Sequence, residues 1–157
     1  MKLTYSIFLI FFSFSLKGQL CDPNTNSFLF DGSSSYVGFA NDNDLNITDE
    51  ITIEAWIKAV SWSSNYVRGS IVCKHGWTSG ELGYVLRAGG NGELSFNISG
   101  KRWNGSSAGW KEVVSSSGAL QLNTWHHVAG TFDGSRLRIY IDGVQAGSTN
   151  FNGRIDP

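Results

Sequence analysis

Along most of the chain apolar residues alternate with polar ones in short runs, and clusters of Gly, Asn, Asp and Ser separate the runs. A period of two puts every second side chain on one face, so each run reads as a strand with one buried side. No stretch keeps a helical period for three turns. The clearest run places Ile51, Ile53, Ala55 and Ile57 on one face and Thr52, Glu54, Trp56 and Lys58 on the other. The isoleucine face belongs to a core. Trp56 is an informative exception, because a large aromatic on the polar face either packs under a loop or belongs to a concave surface.

Phe28, Leu29 and Phe30 read as a short strand ending at Asp31-Gly32, and residues 36–40 as a second before the loop Asn41, Asp42, Asn43, Asp44. Further strands are predicted at 70–73, 84–88, 94–98, 125–132, 137–141 and 144–146. Asn91-Gly92, Asp133-Gly134 and Asp142-Gly143 supply tight turns, since Gly and Asn accept positive φ. Strands joined by tight turns and buried on one side bury that side best by packing sheet on sheet, so the predicted fold is an all-β, two-sheet antiparallel sandwich. Residues 153–157 read as a loop with no closing strand.

The first residues depart from this pattern. Lys2 opens a short basic region, an apolar stretch follows to Phe14, and no acid precedes Asp22. This is the layout of a secretory signal peptide, and the stretch is shorter than the roughly 20 residues that span a bilayer. Cleavage is placed after Gly18, with Ser13-Phe14-Ser15 as the other junction; a lipid on Cys21 is disfavoured by the bulky Leu20 before it. The expected organisation is a signal peptide at 1–18 and one domain at 19–157, secreted or at the cell surface, without membrane insertion after cleavage. At 157 residues, 41% hydrophobic and 16% charged, the chain has room for one domain with a sizeable core.

Loss of residues 1–18 removes Lys2 and Lys17, leaving ten basic against thirteen acidic residues, a net charge of −3. With no run of Lys and Arg to track phosphates, nucleic acid is excluded as a partner. Cys21 and Cys73 enter an oxidising compartment, so a disulfide between them is one reading. It would close a long loop, worth about 4 kcal/mol in the chain-entropy model. The other is a buried Cys73 thiol and an unattached Cys21.

The order of segments resembles the laminin G-like jelly-roll family of the concanavalin A-like type. The resemblance rests on Phe30-Asp31-Gly32 with Tyr36-Val37, on Ala55-Trp56 within 51–58, and on Gly83-Tyr84-Val85-Leu86. Its most specific block is Trp125-His126-His127-Val128-Ala129-Gly130-Thr131-Phe132-Asp133-Gly134, followed by 137–143 with Tyr140-Ile141-Asp142-Gly143. It implies a jelly-roll sandwich with a binding role toward glycans, matrix or other proteins, as one module of a larger extracellular polypeptide. The family pattern continues with two more strands, so the 157 residues are expected to be a fragment lacking them. It also implies a structural calcium, for which Asp31, Asp42 and Asp44 supply the oxygens. The competing reading of those residues is simple solvated turns.

Six Trp are present, and Trp77, Trp103 and Trp110 fall in Gly/Ser-rich stretches, where sugar rings can stack on an indole while Asn104, Lys101, Arg102 and Lys111 bond the hydroxyls. Trp77, Trp103, Asn104 and Trp110 are therefore the candidate ligand-binding set. The competing reading makes these Trp anchors that cap the sandwich. A glycosidase needs two carboxylates roughly 5–9 Å apart. Glu81, Glu93 and Glu112 are the nearest candidates, and the Glu-x-Asp-x-x-Glu run of glucanase relatives is missing. Adjacent His126 and His127 point to opposite faces of a strand and read as structural. The chain is expected to be a non-enzymatic carbohydrate-binding module, with protein adhesion as the alternative.

Overall fold

The structure is a computed structural model that describes residues 27–40, 42–64, 69–75 and 82–157. Residues 1–18, read from the sequence as a signal peptide, and Cys21 and Trp77 lie outside the described residues. The chain divides into two compact units, Met1–Asn43 and Asp44–Pro157.

Within the first unit, residues 28–30 and 36–40 are not strands, contrary to the sequence reading. Phe28, Phe30, Tyr36 and Phe39 are all exposed. Apolar alternation is only half of what a strand needs; the other half is a neighbour for its backbone N–H and C=O groups, and these segments join no ladder. Asp31 closes a turn here: its Oδ1 accepts from the backbone N–H groups of Ser33, Ser34 and Ser35 at 2.8–2.9 Å.

A short 3-10 turn, Asn43–Leu45, spans the boundary, and the described residues of the second unit then form nine strands. They are β1 (Ile51–Ile57), β2 (Ser70–Lys74), β3 (Tyr84–Gly89), β4 (Glu93–Lys101), β5 (Ser107–Val114), β6 (His126–Phe132), β7 (Arg136–Ile141), β8 (Val144–Asn150) and β9 (Arg154–Ile155). One sheet has the order β1-β6-β7-β8, the other β2-β3-β4-β5 with β9 on β4, and every pairing is antiparallel. This is the two-sheet sandwich that the alternation predicts.

The inward face of the second sheet carries Leu86, Leu94, Phe96 and Ile98, and the inward face of the first carries Ile51, Ile53, Val128, Phe132, Leu137 and Ile139. Phe96 reaches across to the facing sheet. A Cβ on Gly130 would stand 2.6 Å from Phe96 Cγ, so only a glycine lets the ring seat against β6.

Two segments depart from the sequence reading. Residues 107–114 form β5, which the sequence reading did not place as a strand. Residues 153–157 are not merely a loop: Arg154 and Ile155 pair with Lys101 and Gly100, on the edge of β4 left open beyond the start of β3. Ile155 is 1% exposed and Phe151 stacks on Phe132 at 5.9 Å, so the segment is fixed by core burial as well as by pairing.

Candidate functional site

The antiparallel register sets which side chains share the outer face of the five-stranded sheet. Val85 faces Asn97 and Asn97 faces Glu112; Arg87 faces Ser95; Ser99 faces Trp110. Since Leu86, Phe96 and Ile98 point inward, this second set points outward.

The outward set forms a bonded polar strip. Arg87 Nε donates to Ser95 Oγ at 3.2 Å and Asn97 Nδ2 to the same oxygen at 2.8 Å. Ser95, Asn97 and Ser99 are only 1–3% exposed, the short side chains of a central strand between longer ones on β3 and β5. Arg87 Nη2 lies 3.8 Å from Glu112 Oε1, an oxygen that accepts no hydrogen bond.

Trp110 stands at the border of this strip, 44% exposed, with the His75 ring edge-on at 5.3 Å. The sequence placed Trp110 in a loop; it is on β5, and the rigid strand gives the indole a fixed position. Lys111 points to the opposite, inward side, its Nζ 5.4 Å from the Phe151 ring, so it does not serve the same surface.

Trp103 and Asn104 sit in the β4–β5 turn and are occupied there. The Trp103 indole N–H donates to Asn152 Oδ1 at 2.7 Å, and Arg154 lies 5.6 Å over the ring. Asn104 Oδ1 accepts from the Ser106 N–H and hydroxyl. These bonds make Trp103 an anchor of the turn although it is 59% exposed, while Trp110 is 44% exposed with His75 against its ring.

Trp56 lies under no loop. It is 66% exposed on the outer face of the four-stranded sheet, where the His127 ring leans on it at 5.4 Å and His127 Nε2 lies 3.5 Å from Glu54 Oε2. His126 points to the other side of β6, buried beside Ile57. Its Nε2 accepts from the Gln121 N–H at 3.0 Å, which fixes the proton on Nδ1, 2.7 Å from Asp142 Oδ2. The hydrogen bond from His126, with a second from the His127 N–H, holds the Asp142 carboxyl below its ordinary range. With both nitrogens engaged, His126 ties the β7–β8 hairpin to the loop before β6 and offers no base to a substrate.

The calcium ligands read from the sequence fall on both compact units. Asp31 and Asp42 belong to the first unit and Asp44 to the second. The Asp31 carboxylate already accepts three backbone N–H groups on Oδ1 and the Ser34 hydroxyl on Oδ2, which keeps its pKa far below the ordinary 3.8. Donor hydrogens aimed at an oxygen occupy the space a cation would take, so this turn does not fit calcium. Among the described residues no three His, Cys, Asp or Glu side chains cluster as a metal site. Cys73 is an exposed free thiol whose Sγ lies 3.6 Å from the His75 carbonyl. It is therefore not the buried thiol of the second reading, and its other proposed partner, Cys21, lies outside the described residues.

Set against known proteins, residues 31–157 match the Laminin_G_3 family model, described as concanavalin A-like lectin/glucanases superfamily. Among solved structures the chain is similar to the binding domain of botulinum neurotoxin serotype G, at 17% identity and a TM-score of 0.46. That alignment covers 73% of this chain and 29% of the other, so the chain spans less than a third of it. No curated protein matches the sequence.

Proposed function

Because the chain belongs to the concanavalin A-like lectin/glucanases superfamily, we propose that it is an exported, non-catalytic module that binds carbohydrate on the outer face of its five-stranded sheet. The observation that carries this reading is Trp110, an open indole held on a strand next to a strip of fixed polar groups. A sugar presents one apolar C–H face and a rim of hydroxyls, and this surface offers a matching aromatic plane with the part-exposed Glu112 alongside and the largely buried Arg87 and Asn97 next to that.

The superfamily's description joins lectins to glucanases, and the spacing of the carboxylates favours the lectin side. Glu93 lies four residues from Asn97, the residue that faces Glu112, a separation of about 13 Å along the strand. Retaining and inverting glycosidases need carboxyl groups roughly 5–9 Å apart. Glu93 is moreover turned back on its own hairpin, where Oε2 accepts the Asn91 N–H at 2.6 Å. Glu81 lies outside the described residues.

An immobilised panel of neutral, amino and acidic oligosaccharides tests the proposal, with the full chain and with Trp110→Ala. Binding that Trp110→Ala weakens at least tenfold supports it, and a blank panel sinks it. A second reading, a protein-contact module, draws on the first unit, where Phe28, Leu29, Phe30, Tyr36 and Phe39 are 49–65% exposed. Capture of a protein partner that tolerates Trp110→Ala and is lost when Phe28 and Phe30 become serine would favour that reading.

A further inference from the structure

The four-stranded sheet repeats the chemistry of the Trp110 site on the far side of the sandwich. On β5, Trp110 and Glu112 are two residues apart and share a face, and a histidine ring sits 5.3 Å from the indole. On β1, Glu54 and Trp56 are likewise two apart on one face, and a histidine ring sits 5.4 Å from the indole. The carboxylate stands one pleat repeat, about 7 Å, along the strand from the tryptophan in both places.

The fold does not need an indole at position 56. Ile51, Ile53, Ala55 and Ile57 carry the buried side of β1, while Trp56 leaves 66% of its surface in water. His127, its cross-strand neighbour, supports one side of the ring and stands 3.5 Å from Glu54, which keeps the carboxylate beside the indole. Resting on the reading of Trp110 as a sugar platform, we infer that Trp56, with Glu54 and His127, forms a second saccharide site, so that one domain binds sugar on both outer faces.

The chemistry names the ligand class. A pyranose stacked on Trp56 places a hydroxyl within reach of Glu54, whose oxygens accept its proton. The Glu54 side chain is 62% exposed and its paired group is an imidazole; Lys58, on the same face, stands four residues along the chain, about 13 Å from Glu54 and beyond a Debye length. Uronic, sulfated and sialylated sugars are repelled there, and neutral sugars are accepted. Two such sites on opposite faces make the domain a bridge between glycan chains.

Titration calorimetry of the full chain with the tightest neutral oligosaccharide of the panel tests this directly. Two sites per chain are expected, falling to one in Trp56→Ala and one in Trp110→Ala. Glu54→Gln keeps the indole and loses the charge, and the expected result is new binding of a uronic-acid oligosaccharide at the Trp56 site. A single site that Trp110→Ala abolishes and Trp56→Ala leaves intact overturns the inference while preserving the proposed function. A protein that binds none of the sugars overturns both. Self-association that Trp56→Ala abolishes in sedimentation also overturns it, because Trp56 is then a contact between copies.

Discussion

The two outer faces of the sandwich present the same kind of side chain on different ground. Trp110 faces Ser99 across the ladder, with Asn97 and then Ser95 further along the same strand; all three are 1–3% exposed, and Arg87 and Asn97 both bond to Ser95. Trp56 stands higher, at 66% exposure, with His127 and Glu54 as its fixed polar company and Ala129 opposite Glu54. Stacking area is much the same for any indole, but the number of immobilised donors and acceptors beside it decides how many hydroxyls are read. The five-stranded face gives its indole a fixed but largely sealed polar neighbourhood, and the four-stranded face leaves its indole more open with fewer fixed partners.

Both faces rest on one core, so the largest effect should erase the difference between them. Phe96 is fully buried between the sheets, and Phe96→Ala is expected to cost about 3–5 kcal/mol in urea denaturation. Gly130→Ala attacks the same contact from the opposite sheet by overpacking and is expected to cost about 1–3 kcal/mol. Sugar binding should fall at both faces together, in proportion to the unfolded fraction. Loss at one face alone would show that the sheets fold separately.

The next effect should separate two tryptophans of the five-stranded face that look alike in sequence. Trp110→Ala is expected to weaken sugar affinity at least tenfold and change stability by less than about 1 kcal/mol, as exposed positions do. Trp103→Ala deletes the bond to Asn152 and the contact with Arg154, for about 1 kcal/mol of stability, and leaves affinity unchanged. Calorimetric binding and thermal melting of the two variants give a crossed pattern if the assignment holds. Equal effects on affinity would return Trp103 to the site.

The difference between these residues was hidden in the sequence because β5 was. Residues 51–57 were legible because strict alternation there coincides with full pairing on β6. In β5 the alternation is broken: Lys111 takes an inward position by laying its stem toward Phe151, and Gly109 holds a left-handed φ of 67°. The edge position of β5 in its sheet lets such residues stand where a central strand would need a Val or Ile. Residues 28–30 err the other way, apolar by pattern and unpaired in fact. Of the site, the strand that carries Ser95 and Asn97 was legible as a strand over 94–98. Its junction with Arg87 and Glu112 was not, because it depends on the register of three strands, which hydrophobic pattern alone does not number.

A smaller effect belongs to the hairpin that ends the four-stranded face. Burial pushes the Asp133 carboxyl up, but the Arg138 ion pair and hydrogen bonds from Ser135 and Arg136 outweigh it and hold the group far below the ordinary 3.8. A carboxyl depressed on folding stabilises the protein above its unfolded pKa, and that stability is lost as pH falls toward the folded value. Asp133→Asn should therefore cost about 1 kcal/mol at pH 7. Its deficit should shrink steadily as pH drops below about 4. A deficit independent of pH would mean that the side chain acts only as a neutral turn former.

The smallest effect is expected where the sequence pointed to a metal. With the Asp31 oxygens engaged by Ser33, Ser34 and Ser35, calcium could bind there only by displacing hydrogen bonds that already satisfy the carboxylate. EDTA and millimolar calcium should therefore leave the melting temperature of the full chain unchanged within error, and leave sugar binding at Trp110 and Trp56 equally unaffected. A calcium-dependent rise would require the turn to open and recruit oxygens from elsewhere. Asp31→Ala separates the two cases, because it abolishes the rise if Asp31 is a ligand. If the carboxylate serves only its own turn, the variant disorders residues 31–35 and leaves both indole sites as they were.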